Sequence, residues 1–311
     1  MEARRDDLTR HDCERAAPFA IALGIWLCPI PAGLTEKAWH LFAVFVAAIA
    51  CVLLGSFPLL TASMIAVATI VLTRTIAPEQ AFSRFANSSV LLVVIAFIVA
   101  QAVVKSGLGR RISLLMVSRF GGSPLGLAYS LVLTDAVIAP AFPSNTARGG
   151  VIYPIVLSIA KGAGSEPDSP QGRRLGGYLM FCSMAGLAVS SALWMTATSA
   201  NPIGVQIAQT AGIKLTFGSW ILASSVPSLA AILMLPWLVS KLFPPGVGAT
   251  PEAPAAARRD LAASGPMSRD EWITAVTFVV MVAGWVFGGA WNLNATAVAF
   301  MGFGVLPLTA F

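Results

Sequence analysis

Charge is what this sequence has least of. Asp, Glu, Lys and Arg make up 11% of its 311 residues, against about 25% in soluble domains, and several long stretches carry none. That deficit excludes an ordinary water-soluble globule, whose surface is charged. The net charge of +6 is no nucleic-acid signal either. Arg and Lys are scattered at the ends of apolar runs, where they report orientation, and no nucleic acid is expected among the partners. Cysteine is scarce. Cys13, Cys28, Cys51 and Cys182 show no CxxC or other ligand spacing, and the three in apolar runs read as small buried hydrophobes. The two histidines, His11 and His40, stand isolated near the ends of apolar segments. No nucleophile, base and acid occur together, which argues against an enzyme.

What is present is apolar length. Hydrophobic residues make up 57% of the chain. A membrane-crossing helix needs roughly 20 apolar residues, and residues 17–34, 38–56, 58–73, 88–104, 175–199, 218–240 and 271–290 read this way, with a last run starting near 295. The expected fold class is an all-α polytopic membrane protein in contact with lipid. The opening "MEARRDDLTRHDCER" mixes acids with bases, and no convincing small-residue cleavage site follows, so residues 1–16 read as a polar tail before a retained span. Residues 162–174 read as a loop. Residues 244–270, rich in Pro, Ala and Gly, read as a linker between two membrane halves. Trp194, Trp220 and Trp272 read as interfacial or packing residues.

Placing the N-terminus in the cytoplasm assigns sides to the charges. After the fourth span the chain is back on that side at Lys105, Arg110, Arg111 and Arg119. If residues 123–161 crossed once, Lys161, Arg173 and Arg174 would lie outside. If the segment enters and leaves on one side, every Lys and Arg falls inside except Lys37, Arg74, Arg84 and Lys214, with Arg148 within the segment. Basic residues favour the cytoplasmic side, so about 123–161 reads as a re-entrant helical hairpin.

That hairpin contains a polar knot, "APAFPSNTARGG", residues 139–150. Pro143 lacks an N–H and disfavours helix at Phe142, so the first arm stops there. Ser144 or Asn145 caps a second arm restarting near Thr146. Broken backbone at membrane depth persists only when buried in protein or lining a watery cavity. The N-terminus of the second arm suits an anion, and the free carbonyls ending the first arm suit a cation. A second break, "TATSANPIG", residues 196–204, interrupts the span over about 175–213 with Thr196, Thr198, Ser199, Asn201 and Pro202. Paired broken segments point to a transporter's binding site, although a single Ser, Thr or Asn in a membrane helix often serves packing or capping alone. Arg148 has two readings: structural partner of Asp135, or fixed positive charge that offsets a bound anion.

Three stretches, "FANSSVLLVVIAFIVAQAVVKSGLGRRI", "SPLGLAYSLVLTDAVIAPAFPSNTARGGVIYPIV" and "TATSANPIG", resemble the divalent anion/sodium symporter family. The similarity is greatest to its branch of bacterial citrate:succinate antiporters and plastid 2-oxoglutarate/malate translocators. The resemblance implies inverted repeats, each with a re-entrant hairpin bearing a Ser-Asn-Thr tip, and elevator-type alternating access. It implies secondary transport of di- or tricarboxylates of the malate, succinate, 2-oxoglutarate or citrate type across the inner membrane, by anion exchange. By position it implies that Ser144, Asn145 and Thr146 form the first tip, that Asn145 and Thr146 meet a substrate carboxylate, and that Ser199 and Asn201 of the break complete the site. In the family's symporters a sodium ion lies between tip and break, which here falls on Ser144, Asn145 and Thr198. The break reads Thr-Ser-Ala-Asn-Pro where symporters carry Gly-Thr-x-Pro-Asn, and that departure touches the sodium ligands. Arg148 is then expected to supply the positive charge that sodium supplies elsewhere.

The resemblance also sets expectations for domain layout. Residues 17–243 correspond to the first span and first repeat, 244–270 to a cytoplasmic linker, and 271–311 to the start of a truncated second repeat. The chain is thus expected to hold an N-terminal portion, a homodimer in full-length form. Alternatives are a sodium-coupled carboxylate symporter, a truncated membrane protein that does not transport, or an arsenite or sodium/proton carrier of similar plan. The last would call for unpaired intramembrane acids, and Asp135 is the one candidate.

Overall fold

Proline and glycine, more than charge, decide where these helices stop. The computed structural model describes residues 16–162, 165, 172–291 and 293–306, and all regular structure among them is helical. Most of the expected polar tail, with Cys13 and His11, lies outside the described residues, as do most of the 162–174 loop and residues 307–311. Among the described residues six helices are long and apolar enough to cross a membrane: the chain is an all-α polytopic membrane protein. It divides into two compact units, Met1–Asn87 and Ser88–Phe311.

The first unit contains α1 (Ala16–Leu27), α2 (Glu36–Leu53), α3 (Leu59–Leu72) and α4 (Pro78–Ser83). Helix α1 is shorter than the apolar run over 17–34 because Pro29 and Pro31 follow its last turn and helices rarely continue into prolines. Cys28, just past that end, is exposed and not the buried hydrophobe expected, whereas Cys51 is buried. Trp39 Nε1 donates to the Ile25 carbonyl at 2.8 Å, and Trp26 stacks on His40 with ring centroids 3.8 Å apart. These contacts tie α1 to α2. Gly55, at φ +69°, makes the turn after α2, and Pro58 precedes α3.

In the second unit, α5 (Ser88–Ser106) gives way at Gly107, φ +81°, to the amphipathic α6 (Leu108–Phe120). Helix α7 (Pro124–Ile138) opens with Pro124 in its first turn, a position that needs no N–H donor, and its N-cap Ser123 accepts from the Gly126 N–H at 3.1 Å. A 3-10 turn over Ala139–Ala141 ends it, and α8 (Asn145–Gly162) follows. Next come α9 (Gly172–Leu193), α10 (Ala200–Thr210) and α11 (Phe217–Leu242). The run closes with α12 (Glu252–Ala263), α13 (Arg269–Phe287) and α14 (Ala295–Val305). Capping boxes start α11 at Thr216/Ser219 and α13 at Ser268/Glu271.

Helices α7, α8 and α9 share one core. Leu127, Leu131, Phe142, Ile152 and Val156 pack with Tyr178 and Leu179, all within 2% of full burial. A second core joins Leu92, Ile95 and Val99 of α5 to Met281 and Trp285 of α13 and Val298 of α14.

Both ends of the α7–α8 segment meet the same part of the molecule. The Gly122 carbonyl, just before α7, accepts from the Thr250 N–H at 3.1 Å, and the Gly121 carbonyl accepts from Thr250 Oγ1 at 2.8 Å. At the far end, Ile159 and Gly162 line a cleft with Glu252 and Ala253 of α12. The two helices therefore form a hairpin closed at its base by α12. That helix lies inside the stretch whose composition reads as linker: its six alanines are strong helix formers, and the Pro and Gly residues flank or open it.

Candidate functional site

The first hairpin arm ends with carbonyls that its own prolines cannot satisfy. Pro140 has no N–H for the Ala136 carbonyl one turn earlier, and Pro143 likewise interrupts the next turn. The break after α9 supplies the missing donors. Trp194 Nε1 donates to the Ala136 carbonyl at 2.8 Å, Thr196 Oγ1 to the Pro140 carbonyl at 2.8 Å, and the Ser199 N–H to the Pro143 carbonyl at 3.0 Å. Buried carbonyls are costly to leave unpaired, so these bonds hold hairpin and broken span together as one body. Trp194 is thus a hydrogen-bonding strut as well as a packing residue.

The tip itself follows. Ser144 Oγ accepts from the Ala147 N–H at 3.3 Å, starting α8. Asn145 and Thr146 are exposed, and Ser144, Thr198 and Ser199 are half-buried. Arg148 points the other way, into the protein, with no exposed surface. Its Nη1 lies 3.2 and 3.1 Å from the two Asp135 carboxylate oxygens and 2.6 Å from Ser190 Oγ. Its Nη2 donates to Asn145 Oδ1 at 2.7 Å, to the Leu187 carbonyl at 3.0 Å and to Ser191 Oγ at 2.5 Å. Ser190 also donates to Asp135. The ion pair expected between Arg148 and Asp135 is formed, and it is fully buried.

One consequence concerns Asn145. Its Oδ1 accepts from both the Arg148 guanidinium and the Ser191 hydroxyl, the latter at 2.5 Å. Guanidinium nitrogens are donors only, which identifies the atom facing them as the amide oxygen. The –NH2 is the remaining polar group of the Asn145 amide, on a residue exposed at a helix N-terminus. A cation held by Ser144, Asn145 and Thr198 would have to displace one of those donors.

Asn201 is placed differently from Asn145. Its Nδ2 donates to the Ser191 carbonyl at 2.8 Å and the Trp194 carbonyl at 3.1 Å, so it closes the C-terminal end of α9. Ser190 and Ser191, which carry much of the Arg148 network, were not among the residues singled out from the sequence. Their signal was two adjacent hydroxyls in the apolar run "AVSSAL", one helical stretch before the break.

A family model described as the sodium:sulfate symporter transmembrane region matches residues 10–310. The chain belongs to that family. Among its relatives, a Bacillus subtilis protein named for malate transport is 40% identical over 292 residues, 93% of this chain and 61% of its own. The chloroplastic dicarboxylate transporter 1 of Arabidopsis thaliana is 37% identical, over 94% of this chain and 53% of its own. The citrate/succinate antiporter of Escherichia coli K12 is 34% identical, over 92% of this chain and 62% of its own. The chain thus spans between half and two thirds of the length of these relatives. Within the family, this member has an arginine two residues past the exposed "SNT", with the guanidinium turned back on the tip asparagine.

Proposed function

We propose that this chain contributes one side of a carboxylate-binding site to a secondary transporter of small di- or tricarboxylates. The observation that carries the reading is Asn145, whose amide oxygen is saturated by Arg148 and Ser191, leaving its –NH2 as the remaining polar group. Beside it stand the Thr146 hydroxyl and the first N–H groups of α8, which have no acceptor within the helix. A concentrated set of donors at a helix N-terminus favours an anion. The names of the relatives, which concern malate, dicarboxylates and citrate/succinate, set the class of anion.

We read the coupling as exchange without sodium, a reading supported by the guanidinium on Asn145 Oδ1. Carboxylates entering a low-dielectric site need compensating positive charge. Arg148 is balanced by Asp135, so the pair adds no net charge, and what it offers the anion is the Asn145 amide polarised by the guanidinium. A sodium ion would compete with Nη2 for the same oxygen. In this reading Ser144, Asn145 and Thr146 contact the anion, Thr198 and Ser199 border it, and Asn201 holds the break in shape.

The proposed placement is the inner membrane, with the N-terminus cytoplasmic and the hairpin re-entrant from the cytoplasmic side. Supporting it, basic side chains gather at the hairpin base: Arg110 pairs with Asp260 at 2.9 Å, Arg111 pairs with Glu271 at 2.6 Å, and Arg258 reaches the Ser118 carbonyl at 3.3 Å. Basic residues favour the cytoplasmic face. Because hairpin and broken span are bonded into one body, they would move together, as elevator-type access requires.

The test is counterflow in liposomes. Source DNA is first read past codon 311 to define the protein, which is then reconstituted with internal malate and offered labelled dicarboxylates with sodium or choline outside. Uptake that depends on internal dicarboxylate and not on sodium is expected. Uptake of sulfate or arsenite alone would overturn the substrate class, and strict sodium dependence would overturn the coupling.

A further inference from the structure

Helix α12 meets its two neighbours unequally. It is fastened to α6 by the Arg110–Asp260 ion pair and by Arg258 on the Ser118 carbonyl. Toward α8 it presents Ala253, Ala256 and Ala257, side chains that end at Cβ and cannot reach across. Opposite them, Pro154 interrupts the hydrogen bonding of α8. A cleft of about 390 Å3 remains between the three helices, within the range of about 300–1,000 Å3 usual for small-ligand sites.

The walls and the rim of the cleft differ in chemistry. Leu114, Val117, Val151, Ile155 and Ile159 face the alanines, while Arg110 and Arg259 stand at one end. Asp260 balances Arg110. Arg259 is exposed and makes no ion pair among the described residues. Glu252 lines the same cleft from the first residue of α12, seven residues or about 10 Å before Arg259. Arg258, one residue before Arg259, adds positive charge beside it, while Arg119 and Arg174 stand toward the Glu252 end, next to the Gly121–Thr250 contact and against Gly246. An occupant matched to these surfaces has an apolar body and an anionic head. Beside helices of the same unit that are long and apolar enough to cross a membrane, the membrane leaflet itself supplies such molecules.

We propose that the cleft between α6, α8 and α12 holds one acyl chain of an anionic phospholipid, with its phosphate against Arg259 and Arg110. Anionic headgroups are drawn to basic pockets between helices on that side of a membrane, and the chain removes the apolar walls from water. The lipid then braces α8, whose opposite end forms the polar tip, against α12. This site is separate from the carboxylate site and rests on the cytoplasmic placement of the hairpin base, not on the substrate or the coupling.

Native mass spectrometry of the detergent-purified chain tests it, with phosphatidylglycerol or phosphatidylcholine added at equal concentration and excess lipid stripped. Wild type is expected to retain one phosphatidylglycerol beyond any phosphatidylcholine. Ala256→Phe, which fills the cleft from an exposed position, is expected to lose that lipid. Arg259→Gln is expected to bind both lipids alike. Val226→Phe, on the exposed face of α11 away from the cleft, controls for lipid held generally, and circular dichroism of each variant controls for folding. A folded Ala256→Phe protein that keeps its phosphatidylglycerol would overturn the proposal. So would equal retention of both lipids by wild type, or an Ala256→Phe protein that melts higher while wild type retains no lipid, since the cleft would then be a packing defect.

Discussion

Arg148 Nη2 lies 2.7 Å from Asn145 Oδ1, three residues back along the same helix. The arginine looks inward and the asparagine outward, so a buried cation sets which end of an exposed amide meets the solvent. Residues three apart are neighbours on a helix, which puts the guanidinium within reach of the amide.

Asn145→Asp tests that orientation. The aspartate keeps its bond to Arg148 but replaces outward donors with a carboxylate oxygen. Like charges brought together across an interface cost several kcal/mol, so dicarboxylate affinity should fall by at least about 100-fold. Equilibrium binding of labelled dicarboxylate to the reconstituted protein reads this, and an unchanged thermal midpoint would separate it from misfolding. Affinity within a few-fold of wild type would contradict the placement of the –NH2 group.

Asp135→Asn removes one partner of a fully buried ion pair. Leaving a buried charge uncompensated costs about 3–5 kcal/mol, and denaturant unfolding in detergent should show a loss of that size. The double variant Asp135→Asn/Arg148→Met should recover part of it, because the isolated charge is gone. A double variant less stable than Asp135→Asn alone would mean that Arg148 does more than answer Asp135.

Thr196→Val keeps the shape of a residue that is 2% exposed and withdraws the donor from the Pro140 carbonyl. A buried acceptor left unpaired costs about 1–3 kcal/mol. The expected signature is a lower unfolding midpoint with faster hydrogen exchange at both the break and the end of α7. Exchange that rises at the break alone would show that the two segments are not one body.

Arg111→Met loosens the linker. The guanidinium bonds Glu271 Oε1 at 2.6 Å and the Gly265 carbonyl at 3.0 Å. Hydrogen bonds to charged groups contribute about 1.5–3 kcal/mol, so local opening around residues 264–268 should become roughly 10–100 times more frequent. Limited proteolysis should cut there first, with the membrane helices intact. Cleavage at the wild-type rate would mean that the Arg110–Asp260 and Arg258–Ser118 contacts hold this stretch without Arg111.

The sodium independence of exchange has its own measure. Replacing external sodium with choline should leave the initial rate of malate exchange unchanged, because the position on Asn145 Oδ1 that a cation would take belongs to Arg148. A rate that climbs with sodium at fixed ionic strength would require the guanidinium to leave that oxygen.

Much of this was legible in the residues themselves, wherever the physics is local. Long uncharged runs set the membrane class because a bilayer tolerates few charges. Pro143 and the Ser-Asn-Thr knot marked a hairpin tip because proline removes a donor and short polar side chains cap helices. The Arg148–Asp135 pairing was foreseeable because a charge in such a run needs a partner. Other outcomes depended on segments far apart in the chain. Ser190 and Ser191 were not singled out in the sequence, and their part in the Arg148 network depends on α9 lying beside α8. Asn201 is expected from the sequence as a ligand, and the structure adds a second task for it, its Nδ2 bonding the Ser191 and Trp194 carbonyls. The linker's alanines became a cleft wall once α12 was pinned to α6. Composition and local stereochemistry determined that this chain lies in a membrane and where its helices break. Only the tertiary structure decided which way each polar group at those breaks points, because a buried donor or acceptor turns toward whichever partner the packing brings within about 3 Å.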